Sequence, residues 1–167
     1  RFRTPRAITV RRLRCGSTDP VLKRADAEFC CGYSRFRDRL EGGVEPTAKI
    51  FVPVNIGHLG TNVLAQVDTG AAWSILSQDL IQALDLLTVA DGSVTLSTRL
   101  GLLRGGLLKL PVTLLADGGR SLAFEGTFFV SPDWTVNQSF LGYSGLLDAI
   151  RFAVDPAVNH FYFGGVE

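Results

Sequence analysis

The chain has 167 residues, enough for one domain of ordinary size and too few for two substantial ones. Seventeen Lys and Arg stand against sixteen Asp and Glu, so the near-neutral total gives no electrostatic case for nucleic acid or membrane as the main partner. A hydrophobic content of 46% excludes a disordered tail, and no run approaches the roughly eighteen apolar residues a spanning helix needs. The absence of Met points to a processed or trimmed product.

Charge is segregated along the chain. Residues 1–45 carry eleven Lys and Arg against six acids, whereas residues 46–167 carry six against ten. Residues 1–45 are therefore predicted to be a basic, poorly ordered leader, and 46–167 a compact domain. Arg1, Arg3, Arg6, Arg11, Arg12 and Arg14 precede the first acid, Asp19, with no apolar stretch behind them, so a secretory signal is not expected. A solvated tail, an organelle transit peptide and a nucleic-acid arm remain open for this segment, the tail being the simplest. Cys15, Cys30 and Cys31 form an odd set without metal-ligand spacing, which suggests free thiols in a reducing compartment and a cytoplasmic location.

From residue 48 onward the pattern is β. Ile50, Val52, Val54 and Ile56 alternate onto one face with Pro53 on the other, predicting a strand over 49–57 near a sheet edge. A second strand over 62–67 runs directly into Asp68. Ser77 can cap a short helix with Asp79 in its first turn and Leu80, Ile81 and Leu84 on one side. Strands are predicted over 94–100, 107–115 and 121–130, the last two joined by the turn Asp117-Gly118-Gly119. A second short helix over 144–152, a turn at Asp155-Pro156 and a final strand over 160–163 complete the chain. Many short strands with 18 Gly and 7 Pro indicate an all-β, largely closed body with one or two short helices.

Motif searches remove most chemistries. With only His58 and His160 there is no HExxH site or multi-His cage, and no Walker loop, GxGxxG or EF-hand loop occurs. Gly142-Tyr143-Ser144-Gly145 resembles a nucleophile elbow, but residue 146 is Leu where the second Gly belongs, so Ser144 reads as a helix-start residue. No metal or cofactor is implied. What remains is Val67-Asp68-Thr69-Gly70-Ala71 at the end of an apolar strand. An Asp leaving a strand into a Thr-Gly turn presents its carboxylate at a surface depression. Gly70 admits close approach of a second chain, and the Thr69 hydroxyl can bond nearby backbone. The tripeptide alone also fits an ordinary β-turn.

In its context the motif resembles the active-site sequence of the retropepsin-like aspartic proteases, most closely the bacterial ones and more weakly the retroviral ones. Leu103-Arg104-Gly105-Gly106-Leu107-Leu108-Lys109 resembles the family's flap hairpin, which closes over substrate. Phe140-Leu141-Gly142, followed by Leu146-Leu147, resembles its second hallmark, an apolar-apolar-Gly segment before the C-terminal helix. The three elements occur in the family's order over roughly 46–163. The resemblance implies a closed acid-protease barrel, with Asp68 catalytic, Thr69, Gly70 and Ala71 supporting its turn, and Leu103, Arg104, Gly105, Gly106 and Leu107 contacting peptide substrate. Trp73 reads as a core or pocket-wall aromatic.

Aspartic-protease chemistry needs two carboxylates, one ionised to take a proton from the attacking water and one protonated to donate to the scissile carbonyl. No second Asp-Thr/Ser-Gly exists; Asp91-Gly92-Ser93, Asp117-Gly118-Gly119 and Asp155-Pro156 are turn sequences. The resemblance therefore implies a homodimer with one Asp68 from each copy, and the terminal strand over 160–163 is expected to pair across the two-fold axis. A Ser at position 71 could donate a hydrogen bond to an ionised carboxylate and Ala71 cannot, so activity is expected to extend toward neutral pH. A pH–rate optimum below about pH 3 would contradict this. The competing readings are a non-catalytic dimerisation or peptide-binding module on the same fold and, resting only on the Arg cluster, a nucleic-acid binder.

Overall fold

The structure, a computed structural model, describes residues 32–38, 49–58, 60–88, 90, 92–99 and 101–166. Most of the predicted leader, including Cys15, Cys30 and Cys31, lies outside the described residues. Eleven strands are described, in two sheets. β1 is Gly32–Arg35, β2 Ile50–Ile56, β3 Asn62–Val67 and β4 Ser74–Ile75. After helix α1 (Gln78–Ala83) and a 3₁₀ turn at Leu86–Thr88 come β5 (Val94–Thr98), β6 (Gly101–Leu114), β7 (Gly118–Gly119) and β8 (Leu122–Val130). β9 is Ser139–Leu141, and a 3₁₀ turn at Leu147–Ala149 precedes β10 (Ile150–Asp155) and β11 (His160–Gly165).

The larger sheet runs β2-β3-β9-β4-β8-β6-β5, and a further pairing of β2 with β6 closes it. The alternation read in β2 is realised: Val52, Val54 and Ile56 are buried in the main core with Phe128, Leu141, Phe161 and Phe163. Closure satisfies the outer edge of β2 through Val54–Ile56 against Val112–Leu114, while the Pro53 carbonyl accepts the Leu115 N–H at 3.2 Å. The all-β closed barrel with few short helices is thus the observed architecture.

The smaller sheet runs β10-β11-β1-β7 and corrects several expectations. β1 falls inside the stretch assigned to the leader, yet it pairs along its whole length with β11 and at Gly32 and Tyr33 with β7; Arg37 then bridges Phe51. Part of that stretch belongs to the folded body. β11 has β10 on one side and β1 on the other, so both its edges are filled within one chain. It is not free to pair across a two-fold axis, as the sequence reading expected.

The helix expected over 144–152 is a single 3₁₀ turn followed by β10. Leu146, Leu147 and Ile150 have helical spacing, but residues 150–155 find a complete antiparallel partner in β11, and the hairpin supplies every ladder bond a helix would. Its turn is the predicted Asp155-Pro156, where the Asp155 carboxylate accepts the Ala157 N–H at 2.9 Å. α1 begins at the predicted N-cap, Ser77, although the hydroxyl makes no capping bond. The Ser77 N–H instead donates to Ser139 Oγ at 2.9 Å, fixing the helix start to β9.

Candidate active site

β3 delivers Asp68 to the site. Ala65 is fully buried and Val63 and Val67 pack on the main core, so alternation sends Leu64, Gln66 and Asp68 to the other face. Asp68 is half-buried and its turn is internally tied: the Gly70 N–H donates to Asp68 Oδ1 at 3.0 Å and the Ala71 N–H to the Asp68 carbonyl at 3.2 Å. Thr69 and Gly70 are exposed, and among the described residues the Thr69 hydroxyl has no hydrogen-bond partner. The turn-stabilising bond expected from Thr69 comes from Gly70 instead.

Phe140-Leu141-Gly142 lies directly beside this turn. β9 runs parallel to β3, with Phe140 opposite Gln66 and Leu141 opposite Val67. The Asp68 N–H continues the ladder by donating to the Leu141 carbonyl at 3.0 Å. Tyr143 and Ser144 donate to the carbonyls of Ala71 and Ala72, both at 2.8 Å, and the Gly142 N–H donates to Ser74 Oγ at 2.9 Å. Ser74 is fully buried, so this bond is shielded from water, and nothing in the sequence marked it. Gly142 is required by close approach: a Cβ there would lie 2.3 Å from the backbone carbonyl of Trp73. The two segments with family resemblance, about seventy residues apart in sequence, thus form one hydrogen-bonded unit. Ser144 sits in a bridge to Trp73 within it and starts no helix.

The hairpin is present but displaced from its predicted register. Thr98 pairs with Gly101, so β5 and β6 turn between them; Gly105 and Gly106 lie four to five residues further along β6. Gly105 serves packing, since a Cβ there would fall 2.1 Å from the Val130 carbonyl oxygen. Leu103 is buried in a second apolar cluster with Ile75, Phe129 and Trp134, and Leu107, Trp73, Val94, Leu96 and Phe140 pack against it. Trp73 is therefore a partly buried core aromatic, one of the two roles expected for it. Arg104 and Gly105 line a cavity of about 320 Å³ with Leu87, Ala90, Gly92, Pro132 and Asp133; neither Asp68 nor its turn borders it. Arg104 is held there by Ser131, whose hydroxyl donates to the Arg104 carbonyl at 2.6 Å.

Among the described residues no cluster of His, Cys, Asp or Glu could hold a metal ion, and no helix is long and apolar enough to cross a membrane.

The fold and this turn define the protein as having the retropepsin-like, retroviral-protease-type architecture. It is similar to a retropepsin-like aspartic protease from Rickettsia conorii, at 20% identity over 81% of this chain and 94% of that one, with a TM-score of 0.53. It is also similar to the retroviral protease-like domain of Ddi1 from Leishmania major, at 19% identity over 71% of this chain and 90% of that one, with a TM-score of 0.47. No protein-family profile matches the chain, and no curated protein sequence is significantly similar to it.

Proposed function

We propose that this protein is an aspartic endopeptidase, active as a homodimer in which the Asp68 carboxylates of two copies hold the attacking water between them. The observation that carries this reading is the Asp68 turn, tied backbone to backbone to residues 141–144 and presenting a half-buried carboxylate in a retropepsin-like fold. Of the two carboxylates, one takes a proton from water as the oxygen attacks the peptide carbonyl. The other protonates the carbonyl oxygen, and the pair later returns a proton to the departing amine. A single chain has one Asp-Thr-Gly, so the second acid must come from a second copy. The exposed Gly70 and Thr69 leave room for that approach.

The substrate is an extended peptide, bound by main-chain hydrogen bonds with side chains entering alternate pockets. The β5–β6 hairpin is the element that would close on it. Leu102, one residue past the turn partner Gly101, is 72% exposed, the greatest exposure of any large apolar side chain described. Burial of that side chain against a bound peptide would favour closure and exclude water.

One observation favours the second reading, a non-catalytic module: β11, the strand expected to join two copies, is sealed between β10 and β1. Cleavage of a denatured protein, measured with and without pepstatin across a range of protein concentrations and compared with sedimentation, separates the two. The protease reading expects a rate per chain that rises as dimer forms and falls with pepstatin. Cleavage by a strict monomer, or none at concentrations where the protein is dimeric, would overturn it.

A further inference from the structure

The smaller sheet ends on an open strand. β10 pairs with β11 along Ile150–Asp155, and among the described residues no strand or bridge pairs with its other side. In an antiparallel ladder only alternate residues turn their N–H and C=O groups toward a given neighbour, so the remaining groups of β10 face outward as a template for another strand. β7, at the opposite end of the sheet, offers two glycines. β10 offers six residues in unbroken register, with no Pro, Lys or bulge to blunt them. Its side chains divide by face. Phe152 and Val154 stand opposite Phe163 and Phe161, two fully buried core rings, whereas Arg151, Ala153 and Asp155 stand opposite Gly164, Tyr162 and His160. Val154 is 38% exposed, so an apolar row that begins in the core reaches the edge uncovered.

The order of charges along β10 selects what fits there. Arg151 and Asp155 lie two residues to either side of Ala153, and Arg151 makes no ion pair among the described residues. An antiparallel copy of the same strand, related by a two-fold axis at Ala153, sets Arg151 opposite Asp155 of the second copy and, by symmetry, Asp155 opposite Arg151. Phe152 faces Val154 in the same way, twice. Moving the axis to Phe152 or Val154 keeps the faces matched but leaves Arg151 opposite Ala153 or Ala157, without its ion pair. We propose that two copies of this chain join edge to edge through β10, with the axis at Ala153, so that their two smaller sheets become one. This rests on the protease reading for the need of a second Asp68, and it uses an edge that is open where β11 is sealed. β10 also follows directly on the 3₁₀ turn, whose Leu147 and Asp148 N–H groups donate to the carbonyls of Gly142 and Tyr143 at 3.2 and 3.0 Å. The edge is thereby tied to the segment that holds the Asp68 turn.

The test reads dimerisation of the full chain by sedimentation equilibrium. Arg151→Asp and Asp155→Arg each set like charges opposite one another twice across the axis, and each is expected to raise the dimer dissociation constant by roughly tenfold or more. An equimolar mixture of the two variants restores opposite charges at both positions and is expected to dimerise about as tightly as wild type, a recovery that misfolding of either variant would not give. Ala153→Cys, made in a chain whose Cys15, Cys30 and Cys31 are replaced by Ser, reads the register. Facing Cα atoms of an antiparallel pair are about 4.5–5.5 Å apart, within disulfide reach, so mild oxidation is expected to give a covalent dimer. Val158→Cys, exposed in the hairpin turn, is expected to give none. A protein that stays monomeric, or a dimer that is indifferent to the charge reversals or unlinked through Ala153→Cys, overturns the inference. In such an indifferent dimer, cleavage that rises with dimer formation leaves the protease reading standing. A dimer that obeys the charge exchange and cleaves nothing supports the inference and overturns the protease reading.

Discussion

Asp68→Asn is expected to abolish peptide hydrolysis, lowering kcat by at least roughly 10²–10⁴-fold, the range that general acid–base catalysis supplies, while the melting temperature stays within a few degrees of wild type. The asymmetry follows from the local bonds. The structural duty of the side chain is to accept the Gly70 N–H through Oδ1 at 3.0 Å, and an Asn carbonyl oxygen can do the same. The backbone bonds from Asp68 to Leu141 and from Ala71 to Asp68 are indifferent to the substitution. What the amide cannot do is accept a proton from water and return it. The variant also tests the need for two copies. Mixed with an equal amount of wild type and re-equilibrated, statistical pairing leaves about one quarter of the dimers with two aspartates. Activity well above that fraction would show that one carboxylate suffices, and undiminished cleavage by the pure variant would remove Asp68 from the chemistry altogether.

Gly142→Ala is expected to carry a large stability cost, about 3 kcal/mol or a fall of roughly 6–12 °C in Tm. The new Cβ would lie 2.3 Å from both the carbonyl carbon and oxygen of Trp73 and 2.6 Å from the Ser74 nitrogen. All three are backbone atoms, so no side-chain rotation relieves the clash. Relief requires β9 to move away from the segment after the Asp68 turn, stretching the bonds from Tyr143 to Ala71, from Ser144 to Ala72 and from Gly142 to Ser74. Activity should therefore fall with stability, in contrast to Asp68→Asn, where the two separate. A thermal melt followed by tryptophan fluorescence, with Trp73 in the strained segment, reads the change directly; a Tm within about 2 °C of wild type would mean that the approach of the two segments is looser than this geometry.

The features visible in the sequence were those that short-range chemistry decides. Alternation at Val52, Val54 and Ile56 identified a strand with one buried face, because a period of two admits no other placement of three branched side chains. Asp117-Gly118-Gly119 and Asp155-Pro156 were readable as turns, and both lie between antiparallel strands, although Gly118 and Gly119 also pair with β1. Asp68 stood out because it leaves an apolar strand into a Thr-Gly turn that resembles a family motif, and Gly142 could be recognised only through resemblance, since its reason for being Gly is a backbone some seventy residues away. Gly105 and Gly106 misled for the same reason. Adjacent glycines signal a turn locally, but here both lie inside β6, and Gly105 admits the backbone of β8 at Val130.

Spacing and residue identity within a few positions were enough to read a mostly β chain, the strand that ends in the acidic turn, and a single Asp-Thr-Gly in these 167 residues. It took the assembled sheets to show that Gly32–Arg35 belongs to the body, that residues 150–155 are strand and not helix, and that residues 160–163 lie between β10 and β1. Each of those outcomes turns on which backbone or side-chain groups meet across large sequence separations. Hydrogen-bond satisfaction among such groups is a property of the assembled sheet, and no local pattern encodes it.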